Sequence, residues 1–334
     1  MVMQGSRSAV DVEHPPGHVD GRLFSDADHP TVLVTDFDVP GYLEQARGRI
    51  PVDRERIDLP AEAARDLGFL WRLENSALAE TRALLASWTA NEARITAFVT
   101  AWGYERYWLA KALRDVLDAG GATGSPAPSR VPSTRLREVW VERALPIVAP
   151  IVGGVVREPV TAGHMARLAV QEGALQVAEA ALLPRLNGEA HRVLAEVVER
   201  REEIVRFFRT EAIARITRSR REAVLARIHL GWPWAPLRIV GVPEPDEAAA
   251  LASLFAEGSD RRALTASDAV IGQQLAGNPQ PSADEVRAAL RFARRRQGSP
   301  GRRRVTKDGR PGTAGSRLRS TRSRPVRDRS ENGV

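Results

Sequence analysis

The stretch from Leu168 to Leu182 reads LAVQEGALQVAEAAL and decides the fold class. Its key residues recur in alternating steps of four and three, at Leu168, Glu172, Leu175, Glu179 and Leu182. This spacing places all of these side chains along one stripe of an α-helix, the pattern of helices that pack at small angles in a bundle. The stretch therefore predicts a bundle helix with two carboxylates on its inner face.

Three further stretches show the same alternation of three- and four-residue steps, and each is interrupted by charge. A charge that is buried without a partner costs several kcal/mol, so these residues must pair with one another, bind something, or lie near the surface. The three stripes are Leu70, Leu73, Ala77, Glu80 and Leu84; Val99, Trp102, Arg106, Leu109, Leu113 and Val116; and Leu194, Val198, Arg201, Val205 and Phe208.

The composition excludes several classes of protein. The chain has 334 residues, 43% of them hydrophobic, and contains no cysteine. A disulfide framework, thiolate catalysis, iron–sulfur clusters and cysteine-ligated zinc are thereby excluded. The longest apolar run, Ala144 to Val156, is interrupted by two prolines and is too short to span a bilayer. The N-terminal sequence has no apolar signal-peptide region, so we expect a soluble, cytoplasmic protein.

The distribution of helix-forming segments predicts an all-α fold in three parts. Residues 1–58 are rich in Asp, His, Pro and Gly and predict an extended, flexible N-terminal arm. Residues 59–290 predict a helical bundle domain with a linker at 120–133, and residues 291–334 predict a disordered, Arg-rich tail. After the linker, helices are predicted at about Thr134–Leu145, Val160–Leu183, Ala190–His229, Glu244–Glu257 and Ala283–Arg296.

Three helical stretches combine aromatic and acidic residues in a recognisable order. Phe98–Leu109 resembles an iron-binding helix in which a Trp shortly precedes Glu-Glu-x-x-His, and Val170–Ala174 is similar to a Gln-Glu-Arg-Ala motif. Val198–Phe208 resembles a second Glu-x-x-His helix that ends in an aromatic residue. Together they resemble the acyl-ACP desaturase group of the ferritin-like di-iron carboxylate proteins. The resemblance covers about residues 60 to 280 and implies a ferritin-like bundle, dimerisation and an acyl-sized apolar cavity.

The positions that would bind iron are altered. The two Glu-x-x-His motifs become Arg106-x-x-Leu109 and Arg201-x-x-Ile204, and none of the six histidines lies three residues after a Glu. A rival register for the first motif, through Glu92, has Ile95 where His is needed. A di-iron centre of the usual composition is therefore excluded, and no cofactor and no catalytic residue are predicted. The vestigial metal-site positions are Glu80, Arg106, Leu109, Glu172, Arg201 and Ile204.

The two arginines suggest what replaces the metal. Guanidinium groups at Arg106 and Arg201 would compensate the charge of Glu172, which matches the third-helix ligand position, and of a first-helix glutamate. The resemblance places that glutamate near Glu74, whereas the stripe favours Glu80, and both stay open. We expect a buried salt-bridge network, although arginines at the edge of the bundle, with their stems reaching to water, would fit the same pattern.

This pattern predicts a non-catalytic ferritin-like helical protein: a pseudo-enzyme scaffold, a subunit or a binding module, forming a homodimer through bundle helices and open to a further protein partner. One alternative is an oxidoreductase of the acyl-ACP desaturase or di-iron oxygenase type, with a rearranged site built from several of the glutamates. These are Glu74, Glu80, Glu105, Glu172 and Glu179.

The C-terminal tail supports a further alternative, binding of nucleic acid or another polyanion. Residues 291–334 carry 15 Lys or Arg and three acids, whereas the rest of the chain has a net charge of −5. Such segments bind phosphates without sequence preference and in a salt-dependent way. The predicted polyanion-binding residues are Arg294, Arg295, Arg296, Arg302, Arg303 and Arg304.

Overall fold

The computed structural model describes residues 33–45, 47–122, 159–231, 234–239 and 242–297, and these residues are helical with no strand among them. The predicted all-α class is confirmed. The α-helices are α1 (Val39–Glu44), α2 (Ala61–Asn75), α3 (Ala77–Leu85), α4 (Ala93–Ala119), α5 (Pro159–Leu182), α6 (Gly188–Arg218), α7 (Arg220–His229), α8 (Glu244–Leu254), α9 (Gly258–Gly272) and α10 (Pro281–Gln297). Short 3₁₀ turns lie at Arg54–Arg56, Trp88–Asn91 and Leu183–Arg185.

Four of these helices form the centre of the molecule. Helix α2 packs against α4 and α5, and α6 packs against the same two helices from the other side. The charged stripe positions Arg106, Glu172 and Arg201 are fully buried where these helices meet. The bundle predicted from the three- and four-residue spacing is therefore present, and its charges lie inside it.

Helix α5 is surrounded by other helices. Besides α2 and α6, it packs against α7 and α9. Two glycines permit this close approach: a Cβ at Gly163 would lie 2.6 Å from the ring of His229 on α7, and one at Gly173 would lie 2.6 Å from Ser267 Oγ on α9. Real Cβ atoms do not approach other atoms so closely, so glycine at these two positions brings α7 and α9 into contact with α5.

Several predicted helix boundaries differ from the structure. The predicted helix Ala190–His229 is two helices, since Ser219 has an extended backbone and its hydroxyl accepts a hydrogen bond from Arg221 N at the start of α7. Helix α8 ends at Leu254 rather than Glu257, and α9 was not predicted. The predicted helix Thr134–Leu145 and most of the 120–133 linker lie outside the described residues, although α4 ends at Ala119 as expected.

The second half of the predicted flexible arm packs into the protein. Phe37, Val39 and Ile50 are at most 5% exposed and belong to the hydrophobic core. The Phe37 ring lies 5.6 Å from that of Phe98 on α4 and 5.2 Å from that of Phe207 on α6. Isolated apolar residues in a Pro- and Gly-rich segment thus lie in an arm that runs along α6, from Phe207 to Arg192. Residues 1–32 of the arm lie outside the described part of the chain.

Helices α8, α9 and α10 cover another side of the bundle. Helix α8 packs against α2 and α10, and α9 packs against α5 and α10. Helix α10 continues to Gln297, so the first seven residues of the predicted disordered tail, 291–297, are helical. Among the helices of the described segments, none has the length and apolar content needed to cross a bilayer.

Candidate functional site

Arg106 lies at the centre of the four-helix core, with its side chain fully buried. Its Nε donates to Glu74 Oε2 on α2 at 2.7 Å, and its Nη1 donates to Glu172 Oε1 on α5 at 2.8 Å. Its Nη2 donates to the backbone carbonyl of Leu73 at 2.7 Å. All three guanidinium nitrogens therefore have partners, which connect α4 to both α2 and α5.

Arg201 approaches the same carboxylates from α6 and is also fully buried. It binds Glu179 in a bidentate way, with Nε donating to Oε2 at 2.7 Å and Nη2 to Oε1 at 3.1 Å. Its Nη1 donates to Glu172 Oε2, and its Nη2 forms an ion pair with Glu74 Oε1. Glu172 therefore lies between the two guanidinium groups and gives one oxygen to each.

The core network, defined as Glu74, Arg106, Glu172, Glu179 and Arg201, contains three fully buried carboxyls but only two guanidinium groups. Burial raises the pKa of Glu172 to about 6 against the lowering effect of Arg106, and it raises the pKa of Glu179 well above its ordinary value. Burial thus favours the neutral form of the excess carboxyl. Burial also lowers the pKa of Arg201 to about 9.

Trp102 completes the environment of Glu172. Its indole Nε1 donates to Glu172 Oε1 at 3.1 Å, and its ring packs edge-on against Phe208 at 5.5 Å. The guanidinium of Arg106 lies 5.6 Å from the centre of the same ring, within the range of a cation–π contact. The periodicity places Trp102 on the second stripe but does not indicate a hydrogen bond from its indole.

Glu80, the first-helix position favoured by the stripe, lies at the edge of this network. Its side chain is 31% exposed, and its Oε2 lies 3.7 Å from Arg106 Nη1. Its Oε1 accepts a hydrogen bond from Gln171 Nε2 at 2.7 Å. Glu74 is the first-helix carboxylate inside the core, so the choice that the sequence left open falls on Glu74.

Leu109 and Ile204, the positions where the resembled family has histidines, are fully buried apolar residues. Of the described histidines, His164 and His229 form a separate pair between α5 and α7, with ring centres 5.3 Å apart. Thr89 Oγ1 lies 2.7 Å from His164 Nδ1, and burial lowers the pKa of His164 to about 3 and that of His229 to about 4. Neither imidazole belongs to the core network.

The core network does not fit a di-iron centre. Its carboxylate oxygens face guanidinium cations, and the two positions for nitrogen ligands are hydrocarbon side chains. Across the described residues, no group of three or more His, Asp or Glu side chains is arranged to hold a metal ion. The arrangement instead forms ion pairs between side chains of α2, α4, α5 and α6 where these helices meet.

Two residues beside the network were not predicted as a pair. Tyr42 on α1 donates its hydroxyl to Glu105 Oε2 on α4, and its ring stacks on Phe98 at 4.7 Å. Burial raises the pKa of both Tyr42 and Glu105. Sequence analysis named Glu105 only under the oxidoreductase alternative, and nothing in the spacing of the arm indicated that Tyr42 would reach it.

A second buried network lies further along α6 and was also missed. Arg215 is fully buried and binds Glu92 through both terminal nitrogens, at 3.0 and 2.6 Å. Glu211 accepts from Arg215 at 3.3 Å, from Arg94 Nε at 3.2 Å and from Thr35 Oγ1 at 2.7 Å. The four-residue spacing of Glu211 and Arg215 predicts that they pair, but on a solvated helix face, whereas both side chains are fully buried.

Only three of the six predicted polyanion-binding residues lie in the part of the chain that the structure describes. Arg294, Arg295 and Arg296 lie in the last turn of α10 and are exposed. Arg302, Arg303 and Arg304 lie outside the described residues. The polyanion site stays a prediction.

Comparison with known proteins identifies no relative. No protein-family model, no curated protein and no solved structure matches this chain. The ferritin-like relationship therefore stays a proposal.

Proposed function

We propose that this chain is a non-catalytic helical protein of ferritin-like descent, acting as a scaffold, subunit or binding module, in which a salt-bridge network replaces a di-iron site. The observation that carries the proposal is the position of Glu172 between the guanidinium groups of Arg106 and Arg201. A di-iron centre likewise places cations between carboxylates from four helices. Two fixed organic cations in that place support a structural role.

The hydrogen bonding of the network supports a role without redox chemistry. A metal ion could bind Glu74, Glu172 and Glu179 only by displacing hydrogen bonds that already hold all three carboxyls. Those bonds are charge-assisted and lie in a low-dielectric interior, where breaking one side of a pair costs about 3–5 kcal/mol. A guanidinium group offers no ligand atom and no accessible redox state, so the proposed site binds helices together.

The metal content of the protein tests this proposal. The full chain is expressed with supplemented iron, purified, and analysed by mass spectrometry for iron per chain. We expect far less than one iron per chain. About two irons per chain, the usual complement of a di-iron protein, would overturn the proposal in favour of the oxidoreductase alternative.

A fourfold variant tests whether positions 106, 109, 201 and 204 correspond to a former iron site. The changes Arg106→Glu, Leu109→His, Arg201→Glu and Ile204→His rebuild two Glu-x-x-His motifs around the existing Glu74 and Glu172. If these positions correspond to a former iron site, the folded variant gains iron that the parent chain lacks. A variant with the parent's circular dichroism spectrum but no gain of iron would contradict the proposed origin of the network.

The proposed homodimer has candidate contact residues on the outer face of α3 and α4. Leu78, Leu85, Tyr104 and Tyr107 are each more than a third exposed. Sedimentation equilibrium measures the mass of the parent chain and of the double variant Tyr104→Ser, Tyr107→Ser. We expect a dimer for the parent and a weakened dimer for the variant, and a parent monomer at all concentrations would exclude dimerisation.

The charge of the tail favours a second candidate function, binding of a polyanion. Deleting residues 298–334 leaves α10 whole and removes 11 of the 15 bases counted from Arg291. If the tail binds phosphates, the truncated chain leaves a heparin column at a clearly lower salt concentration than the full chain. Unchanged retention would exclude this function for the tail.

A further inference from the structure

A cavity lies between α8, α10 and the segment 234–239, well away from the core network. Its volume is about 520 Å³, within the range of small-molecule sites. Its apolar wall is formed by residues of all three elements and by Leu230, which follows α7; these residues are Leu230, Trp234, Ala248, Leu251, Ala289 and Phe292. Small alanine side chains on α8 and α10 leave the space open.

Glu285 of α10 lines this cavity and is only 9% exposed. Its Oε2 accepts a hydrogen bond from the backbone N–H of Leu237 at 2.9 Å. Its Oε1 is buried and has no hydrogen-bond partner among the described residues. A buried polar atom without a partner costs about 1–3 kcal/mol, so a donor that drew this carboxyl toward the cavity would recover that free energy.

The charges around Glu285 are mostly negative. Glu247 on α8 and Asp268 on α9 both raise its pKa, and Arg238, which is itself bonded to Glu247 at 3.1 Å, lowers it. Burial is the largest cause, and together these effects raise the pKa of Glu285 to about 8. Asp284, beside it on α10, is exposed and paired with Arg287. A cation bound at Oε1 would stabilise the ionised form of the carboxyl and lower its pKa.

We propose that this cavity binds an organic cation, with its ammonium or guanidinium group on Glu285 and its hydrocarbon part against Leu251 and Ala289. A charged nitrogen would complete the hydrogen bonding of Oε1 and replace the proton. The apolar wall would take the hydrocarbon part out of water, gaining about 25 cal/mol for each Å² buried. The cavity also reaches Arg291 and Arg295, nearer the C-terminal end of α10, so an anion is the rival ligand to be tested.

A set of four matched six-carbon probes distinguishes these ligands. Hexylammonium, hexylguanidinium, hexanamide and hexanoate are titrated into the full-length protein by isothermal calorimetry. We expect at least one of the two cations to bind at least tenfold more tightly than the neutral amide, and hexanoate to bind weakest. Tightest binding of hexanoate would overturn the proposal, and so would equal binding of all four probes or no binding of either cation.

Variants test whether Glu285 is the contact. Glu285→Gln retains an acceptor for Leu237 N–H but cannot become negative, and we expect it to lose at least tenfold in affinity for the cations. Asp246→Asn is the matched control, because it removes an exposed carboxylate of α8 that does not line the cavity, and we expect less than a threefold loss. Equal losses in both variants would show that general surface charge attracts the probes and would refute a site at Glu285.

The pH dependence of binding gives an independent readout. Because the cation binds the ionised carboxyl, its affinity should rise roughly tenfold from pH 6 to pH 7 and level off above pH 8. Glu285→Gln should show no such rise. Affinity that falls with increasing pH would mean that the protonated carboxyl is the binding form, which would contradict a cationic ligand.

Discussion

The core network and the Glu285 cavity both bury carboxyl groups, but they differ in what meets those groups. In the core, each of the six carboxylate oxygens of Glu74, Glu172 and Glu179 faces a guanidinium nitrogen. In the cavity, Glu285 Oε1 has no partner in the described part of the chain. The core carboxylates are therefore paired with cations of the protein itself, whereas Glu285 has no ion pair among the described residues.

This difference separates a structural role from a binding role. A saturated cluster gains nothing from a further ligand, since any newcomer must first break charge-assisted bonds. An unsaturated buried oxygen is stabilised by any suitable donor that reaches it. We therefore expect a ligand to bind at the cavity and not at the core network, although both regions bury carboxyl groups. The following changes test this difference.

The largest effect is expected for Arg201→Ala in the core network. The change leaves Glu179 without a guanidinium partner and Glu172 with only one, and it should cost about 3–5 kcal/mol of unfolding free energy. Urea denaturation followed by circular dichroism measures it. Arg206→Ala, on the exposed face of the same helix, is the control and should cost less than about 1 kcal/mol. A loss below about 1 kcal/mol for Arg201→Ala would mean that the core is not held by this network.

A smaller loss is expected for Arg215→Ala in the second network. Glu211 keeps its bonds to Arg94 and Thr35 after the change, and Glu92 is 12% exposed and regains some contact with water. We therefore expect a loss of about 2–3 kcal/mol in the same denaturation experiment. A loss as large as that of Arg201→Ala would show that partial exposure and the remaining partners provide no compensation.

The pH dependence of stability distinguishes the cavity from the core. The pKa of Glu285, raised to about 8 by burial, lies above its value in the unfolded chain, so the folded protein keeps a proton that the unfolded chain has released. Stability from this group is present at low pH and is lost as the pH rises through 8. Relative to the parent, Glu285→Gln should gain about 1 kcal/mol between pH 7 and pH 8.

The control for this measurement is Asp284→Asn, whose stability relative to the parent should stay constant over the same interval. A constant difference for Glu285→Gln as well would show that Glu285 is already ionised at pH 7, and hence that it has a partner.

The smallest effect is expected where paired charges lie in water. Arg206 and Glu203 form an ion pair on the surface of α6, with side chains 61% and 44% exposed. Arg206→Ala should change the unfolding free energy by less than about 1 kcal/mol, and addition of salt should reduce the difference further. A loss comparable with that of Arg215→Ala would contradict the rule that burial decides how much an ion pair contributes to the unfolding free energy.

The sequence predicted the helical class and the arginines of the core because both depend on helix periodicity. Arg106, Glu172 and Arg201 lie on stripes of three- and four-residue steps, and such stripes face the interior of a bundle. The choice between Glu74 and Glu80 could not be made in this way. The first stripe assumes one continuous helix, but α2 ends at Asn75 and α3 begins at Ala77, which moves Glu80 to the edge.

Other features escaped because their signals are not periodic. Phe37, Val39 and Ile50 are single apolar residues in a polar, Pro-rich context, and only the aromatic contacts made across the fold show that they are buried. Helix α9 buries only two large apolar side chains, Leu264 and Ile271, too few for a recognisable stripe. The cavity at Glu285 depends on the approach of α8 to α10, which local sequence does not encode.

The shared position of Glu172 has a mechanical consequence for the bundle. Its two oxygens are held by Arg106 from α4 and by Arg201 from α6. Sliding α5 by a single residue would move this side chain about 1.5 Å along the helix axis and turn it by about 100°. Both ion pairs would break at once, whereas hydrocarbon contacts alone would tolerate small shifts. The two ion pairs of this carboxylate thus fix the axial register of α4, α5 and α6.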